Sequence, residues 1–133
     1  MVAGKIERFE DLIAWQKARV LAREVFMMTG KGAFRRDFSL TDQMRRAARS
    51  IGANIAEGFE RVGPREFHRA LSTSKASCAE LRSDLYTALD ITYIDEAEFE
   101  HMQALAIEVA RIIGALRAAV ERRIAADEQL SKR

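Results

Sequence analysis

The sequence predicts an all-α fold, an up-down-up-down antiparallel four-helix bundle forming a single domain over residues 1–133. Three observations predict it. Apolar residues recur in alternating steps of three and four over long stretches, the spacing of one helix face, and nowhere alternate every second residue as a strand requires. Proline occurs once and hydrophobic residues make up 48% of the chain, so little interrupts the helices and one core can be filled. The helix breakers fall in short clusters, and short links between long helices force antiparallel neighbours.

The first helix is expected over about 9–29, with Glu10 and Asp11 at its positive end and the Gly30-Lys31-Gly32 break at its close. Leu12, Trp15, Ala18, Ala22, Val25 and Thr29 form one row, and Ile13, Val20, Met27 and Met28 widen it sideways, enough surface for two neighbours. The second helix, about 40–62, opens at Ser39-Leu40-Thr41-Asp42, read as a capping box in which hydroxyl and carboxylate satisfy orphan N–H groups. The third, about 64–92, begins with Pro64, whose missing N–H would have no partner in a first turn. Its stripe is Phe67, Leu71, Ser74, Cys78, Leu81, Leu85 and Ala88. The fourth, about 96–126, is capped by Asp95 with Glu98 three residues on, and repeats the stripe from Phe99 through Met102, Ala106, Val109, Ile113 and Leu116 to Val120. The tail DEQLSKR lacks the pattern and is expected to fray.

The second helix carries three kinds of residue. Leu40, Met44, Ala47, Ala48, Ile51 and Ile55 cluster on one arc, the core face. Arg45, Arg46 and Arg49 lie on the far side. Between them Gln43, Ser50, Asn54, Glu57 and Arg61 make a polar row bordering the core, and polar groups there need partners. Ser74, Ser77 and Glu80 of the third helix are the expected ones. Gln43, Ser50, Asn54, Glu57, Ser77 and Glu80 are therefore read as a structural polar seam that sets how the two helices pack. The arginines have two readings, a solvated face, or a band with Arg61, Arg65 and Arg69 that tracks phosphates. No aromatic residues alternate with them to stack unpaired bases.

Charge is unevenly placed although the net is only +2: residues 35–82 hold 10 Lys/Arg against 6 Asp/Glu, and residues 83–133 hold 6 against 10. A basic middle and an acidic final third suit an anionic ligand or the pairing of surfaces in an oligomer. The single Cys78 cannot form an intramolecular disulfide, and no Cys/His grouping offers a metal cage. No apolar run is long enough for a signal peptide or a membrane span, so a cytoplasmic protein without membrane partners is expected. His68 and His101 are isolated, no nucleophile-base-acid spacing occurs, and the i,i+4 pairs Glu80/Asp84 and Glu96/Glu100 lack the His partners of a di-iron bundle. Neither catalysis nor a cofactor or metal is expected.

Three segments, FEDLIAWQKARVLAREVF, FSLTDQMRRAARSIGANIAEGFER and FHRALSTSKASCAELRSDLYTALDITYI, resemble in order and spacing the four-helix bundle proteins encoded in intervening sequences of bacterial 23S rRNA genes. The likeness covers about Phe9 to Leu116 and is most specific from Leu40 to Gly58. The chain departs from that pattern at Gly52, where proline is common, at Ala76, and in the GAFRRDF segment. The resemblance implies a homo-oligomer, commonly a pentameric ring, with no established enzymatic activity. The accessory proteins of diversity-generating retroelements, which are similar, imply nucleic-acid and protein partners. The expected function is non-enzymatic, non-sequence-specific binding of RNA or DNA, with a protein-interaction scaffold as the alternative.

Overall fold

A computed structural model describes residues 5–132, and all four long elements in it are helical: α1 (Ile13–Thr29), α2 (Phe38–Glu60), α3 (Pro64–Asp90) and α4 (Glu96–Ser131), with short 3-10 turns at Phe9–Asp11 and Phe34–Arg36. There is no strand among the described residues. Each helix packs on the next and α1 packs on α4, closing a four-membered ring. Neighbouring helices run antiparallel. Along α2 and α3, Gln43 meets Asp84, Ser50 meets Ser77 and Gly58 meets Ala70. On the opposite seam Lys17 pairs with Glu108 and Glu24 with His101.

The core is the set of stripes read from the sequence, with Met44, Ile51 and Ile55 of α2 facing Leu71, Leu81 and Leu85 of α3, all fully buried. The first helix differs in both its start and its rotation. The 3-10 turn ends at Leu12, whose extended backbone (ψ 124°) interrupts the chain before α1. Asp11 does not open the helix; its carboxylate accepts the N–H groups of Glu7 and Arg8, and these bonds hold it below the usual carboxylate range. Ala14, Leu21 and Met28 enter the core, while Ile13, Val20 and Met27 stay 61%, 48% and 54% exposed at seven-residue intervals.

The expected capping box at Ser39 is not used. Asp37 caps α2 instead, its Oδ1 accepting the Leu40 N–H at 3.0 Å and its Oδ2 the Tyr93 hydroxyl at 3.0 Å. One carboxylate thereby joins the α1–α2 and α3–α4 connections. Phe34, 1% exposed, lies beneath them with its ring 5.1 Å from Tyr93. Asp95 caps α4 through the Glu98 N–H at 2.8 Å, and Pro64 occupies the first turn of α3 after Gly63 at φ 95°. The tail does not fray: α4 runs to Ser131 because its last residues are helix formers without Gly or Pro, and Glu128 pairs with Arg65 at the start of α3. At ~1.5 Å per residue α4 is about 54 Å long and α1 about 25 Å, so α4 overhangs α1.

Candidate nucleic-acid interface and polar seam

The polar row of α2 meets α3 through short bonds. Ser50 and Ser77 hydroxyls lie 2.9 Å apart, and Asn54 Nδ2 donates to the Ser50 carbonyl at 2.8 Å and hydroxyl at 3.0 Å. Ser74 donates to the Ile51 carbonyl at 2.7 Å, and Gln43 Nε2 donates to Asp84 at 3.0 Å. Three residues assigned to the seam make no bond across it: Asn54 reaches only Ser50, within α2. Glu57 turns to Arg61 at 2.6 Å, its i+4 neighbour on the same helix face, and Glu80 has no hydrogen bond to α2. Asp84, one turn beyond Glu80, takes that place.

Asp84 is buried, and its Oδ2 has no hydrogen-bond partner among the described residues. Burial and then the nearby Glu80 push its carboxyl above the usual range, against the pull of the Gln43 amide. The folded state therefore holds this proton more tightly than the unfolded chain. The stability tied to it is full below the unfolded carboxyl range and is lost as pH rises through the folded value. Asp84→Asn keeps an acceptor for Gln43 and can donate toward Glu80, so it should stabilise the protein by about 1 kcal/mol at neutral pH. Urea denaturation at a series of pH values from the ordinary carboxyl range up to neutrality checks this: the gap between variant and parent should widen as pH rises and then level off, and a gap constant across the whole series would refute the account.

The six arginines do not form one continuous unpaired band. Arg45 closes the negative end of α1, donating from Nε to Thr29 Oγ1 at 2.9 Å and from Nη2 to the Phe26 carbonyl at 3.3 Å, with its guanidinium 4.6 Å over the Phe26 ring. Arg61 pairs with Glu57 and Glu66, Arg65 with Glu128, and Arg69 with Glu66. The acids that meet Arg65 and Arg69 come from α4 and from the first turn of α3. Arg46 and Arg49 are exposed, and neither forms an ion pair with any described residue. They line an open cleft of about 640 Å³ along the α2–α3 seam, together with the hydroxyls of Ser39, Ser50 and Ser77 and the carboxylates of Asp42 and Glu80.

Burial pushes the Cys78 thiol up to about 11, against the pull of Arg82 and Lys75, so it is neither a ready nucleophile nor a ready metal ligand. His68 and His101 lie on different helices, each beside a single glutamate. Among the described residues no three His, Cys, Asp or Glu side chains gather to hold a metal, and no helix is long and apolar enough to cross a membrane.

An antiparallel helical ring with hydroxyl, amide and carboxylate groups stitching its second helix to its third defines the class. The chain belongs to the 23S rRNA-intervening sequence protein family, whose profile matches residues 10–115. In fold it is similar to the crystal structure of a protein of unknown function from the S23 ribosomal protein family of Bacteroides thetaiotaomicron, with a TM-score of 0.73 and 18% identity over 79% of this chain and 98% of that one. No curated protein matches the sequence significantly.

Proposed function

We propose that the protein is a non-enzymatic, oligomeric bundle that binds the phosphate backbone of nucleic acid without sequence preference, through Arg46 and Arg49. The observation that carries this reading is their exposure without a carboxylate partner beside a hydroxyl-lined cleft. Phosphate contacts of this kind supply affinity without reading bases. Assembly would repeat the pair and multiply weak contacts. The Ile13, Val20 and Met27 row supports assembly, since exposed apolar residues every seventh position suit a helix packing on another helix.

The family description names an intervening sequence of 23S rRNA, which makes RNA the first probe and duplex DNA the second. Fluorescence anisotropy at two salt concentrations should show binding that weakens with salt. Arg46→Ala with Arg49→Ala should weaken it and reduce the salt slope by about one for each phosphate no longer neutralised, whereas Arg65→Ala with Arg69→Ala should do less. Absence of binding at low salt, or indifference to the first pair, defeats the reading. A scaffold that meets only protein is favoured instead if light scattering finds an oligomer and no nucleic acid binds; the arginines already paired with glutamates are what support it.

A further inference from the structure

The other side of α3 holds a second cleft, between α3 and α4, of about 360 Å³. It is lined by Lys75 and Arg82 of α3 and Arg117 of α4, with the short side chains of Ala76, Ala79 and Ala110 among them. Gly114 of α4 lies beside Lys75, whose Nζ is the nearest atom to where a Cβ would stand, at 3.4 Å. Among the described residues no carboxylate lines this cleft. The clefts around the six arginines all include at least one acid, Asp42 of α2, Glu80 of α3 and Glu66 in the first turn of α3 among them.

The three cations are poorly compensated. Lys75 makes no ion pair with a described residue. Arg82 donates from Nε to Gln103 at 3.1 Å, and Gln103 in turn donates to the Arg82 carbonyl, leaving the outer guanidinium nitrogens without a hydrogen-bond partner among the described residues. Arg117 reaches Ser72 Oγ at 3.4 Å and Glu121 only at 4.0 Å. All three side chains are half-buried, so their mutual repulsion is less screened than on an open surface. Lys75 and Arg82 stand two turns apart on one face of α3, about 10.5 Å along its axis, with Arg117 facing them from α4.

We infer that the α3–α4 cleft binds an oligophosphate, held through its phosphate oxygens by Lys75, Arg82 and Arg117. Guanidinium forks match phosphate oxygens in pairs, and an ammonium adds a point charge. The alanines between the cations add no bulk that would block a narrow chain. The lining contains no aromatic ring to stack a base and no carboxylate to take a ribose hydroxyl, so the phosphate chain is what is recognised, whether inorganic or the tail of a nucleotide. This cleft shares no residue with the α2 face proposed for nucleic acid, and the inference stands apart from that reading.

Calorimetric titration of the full chain with inorganic triphosphate at low salt tests it. Saturable binding is expected, tighter than for orthophosphate and matched by a nucleoside triphosphate. Lys75→Gln with Arg117→Gln should weaken it by on the order of a hundredfold, about tenfold per cation, while Lys75→Arg retains it and Arg46→Ala with Arg49→Ala leaves it unchanged. Ala79→Glu, at an exposed position, brings a carboxylate into the cleft and should abolish binding in a chain whose circular dichroism melt is normal. Triphosphate that fails to bind, binding that survives both the double substitution and Ala79→Glu, or binding that disappears with Arg46 and Arg49 would each overturn the assignment. A nucleotide far tighter than triphosphate would overturn recognition by phosphate alone.

Discussion

Phe34→Ala is expected to lower the unfolding free energy by about 3–5 kcal/mol, a large share of the roughly 5–15 kcal/mol that holds a domain of this kind together. The ring is 1% exposed although it sits in a connection. It fills the end of the bundle beneath Tyr93, and its carbonyl accepts the Thr41 hydroxyl at 3.0 Å, drawing the first turn of α2 down onto it. Removing the ring leaves a cavity closed by two connections that Asp37 ties together, so the site collapses poorly. Phe34→Leu, which retains most of the volume, should cost less than about 1.5 kcal/mol. Urea denaturation of both variants decides the matter: a drop under about 1 kcal/mol for the alanine variant would mean that the ring is not a structural plug.

Gly58→Ala should destabilise by about 1–3 kcal/mol, against the ordinary helical preference for alanine over glycine. A Cβ at Gly58 would stand 2.4 Å from the Ala70 Cβ, an atom carried rigidly on the α3 backbone, and 3.3 Å from a Phe67 ring carbon. Only separation of the two helices could relieve it. Gly52 makes the contrast, because a Cβ there would meet Ala18 and Trp15 at 3.7 Å, an ordinary van der Waals distance. If the close approach is the cause, Gly58→Ala combined with Ala70→Gly should be more stable than the sum of the single effects predicts. Additive effects in thermal melts would point elsewhere.

Much of the fold was legible because its period is long and its core faces are uniform. The stripes of α3 and α4 need only a spacing rule, and Pro64 and Asp95 act locally, within one turn of where they stand. Phe34 was not legible: a single phenylalanine between glycines and arginines carries no periodicity, and its burial depends on Tyr93, 59 residues away in the chain. Asp37 and Ser39 both precede plausible first turns, and only the hydroxyl of Tyr93, distant in sequence, favours the aspartate. On α1 the apolar residues are too many to rank by spacing, so the rotation that buries Leu21 and exposes Val20 is set by the neighbours.

The site was legible to the same depth. The rhythm of Gln43, Ser50 and Asn54 along α2 revealed that a polar edge exists, but whether Glu80 or Asp84 faces it depends on the rotation of α3. The arginine run was plain in the sequence, whereas its compensation was hidden, since Arg65 is met by Glu128 from the far end of the chain and Arg45 by the carbonyl end of α1. Lys75, Arg82 and Arg117 gave no signal together because they come from two helices and are widely spaced.

The third helix is shared by both clefts, with Ser77 and Glu80 bordering one and Lys75 and Arg82 the other. A roll about its long axis that widened one gap would narrow its counterpart, and the bonds of Ser74 to Ile51 and of Ser77 to Ser50 would resist such a roll.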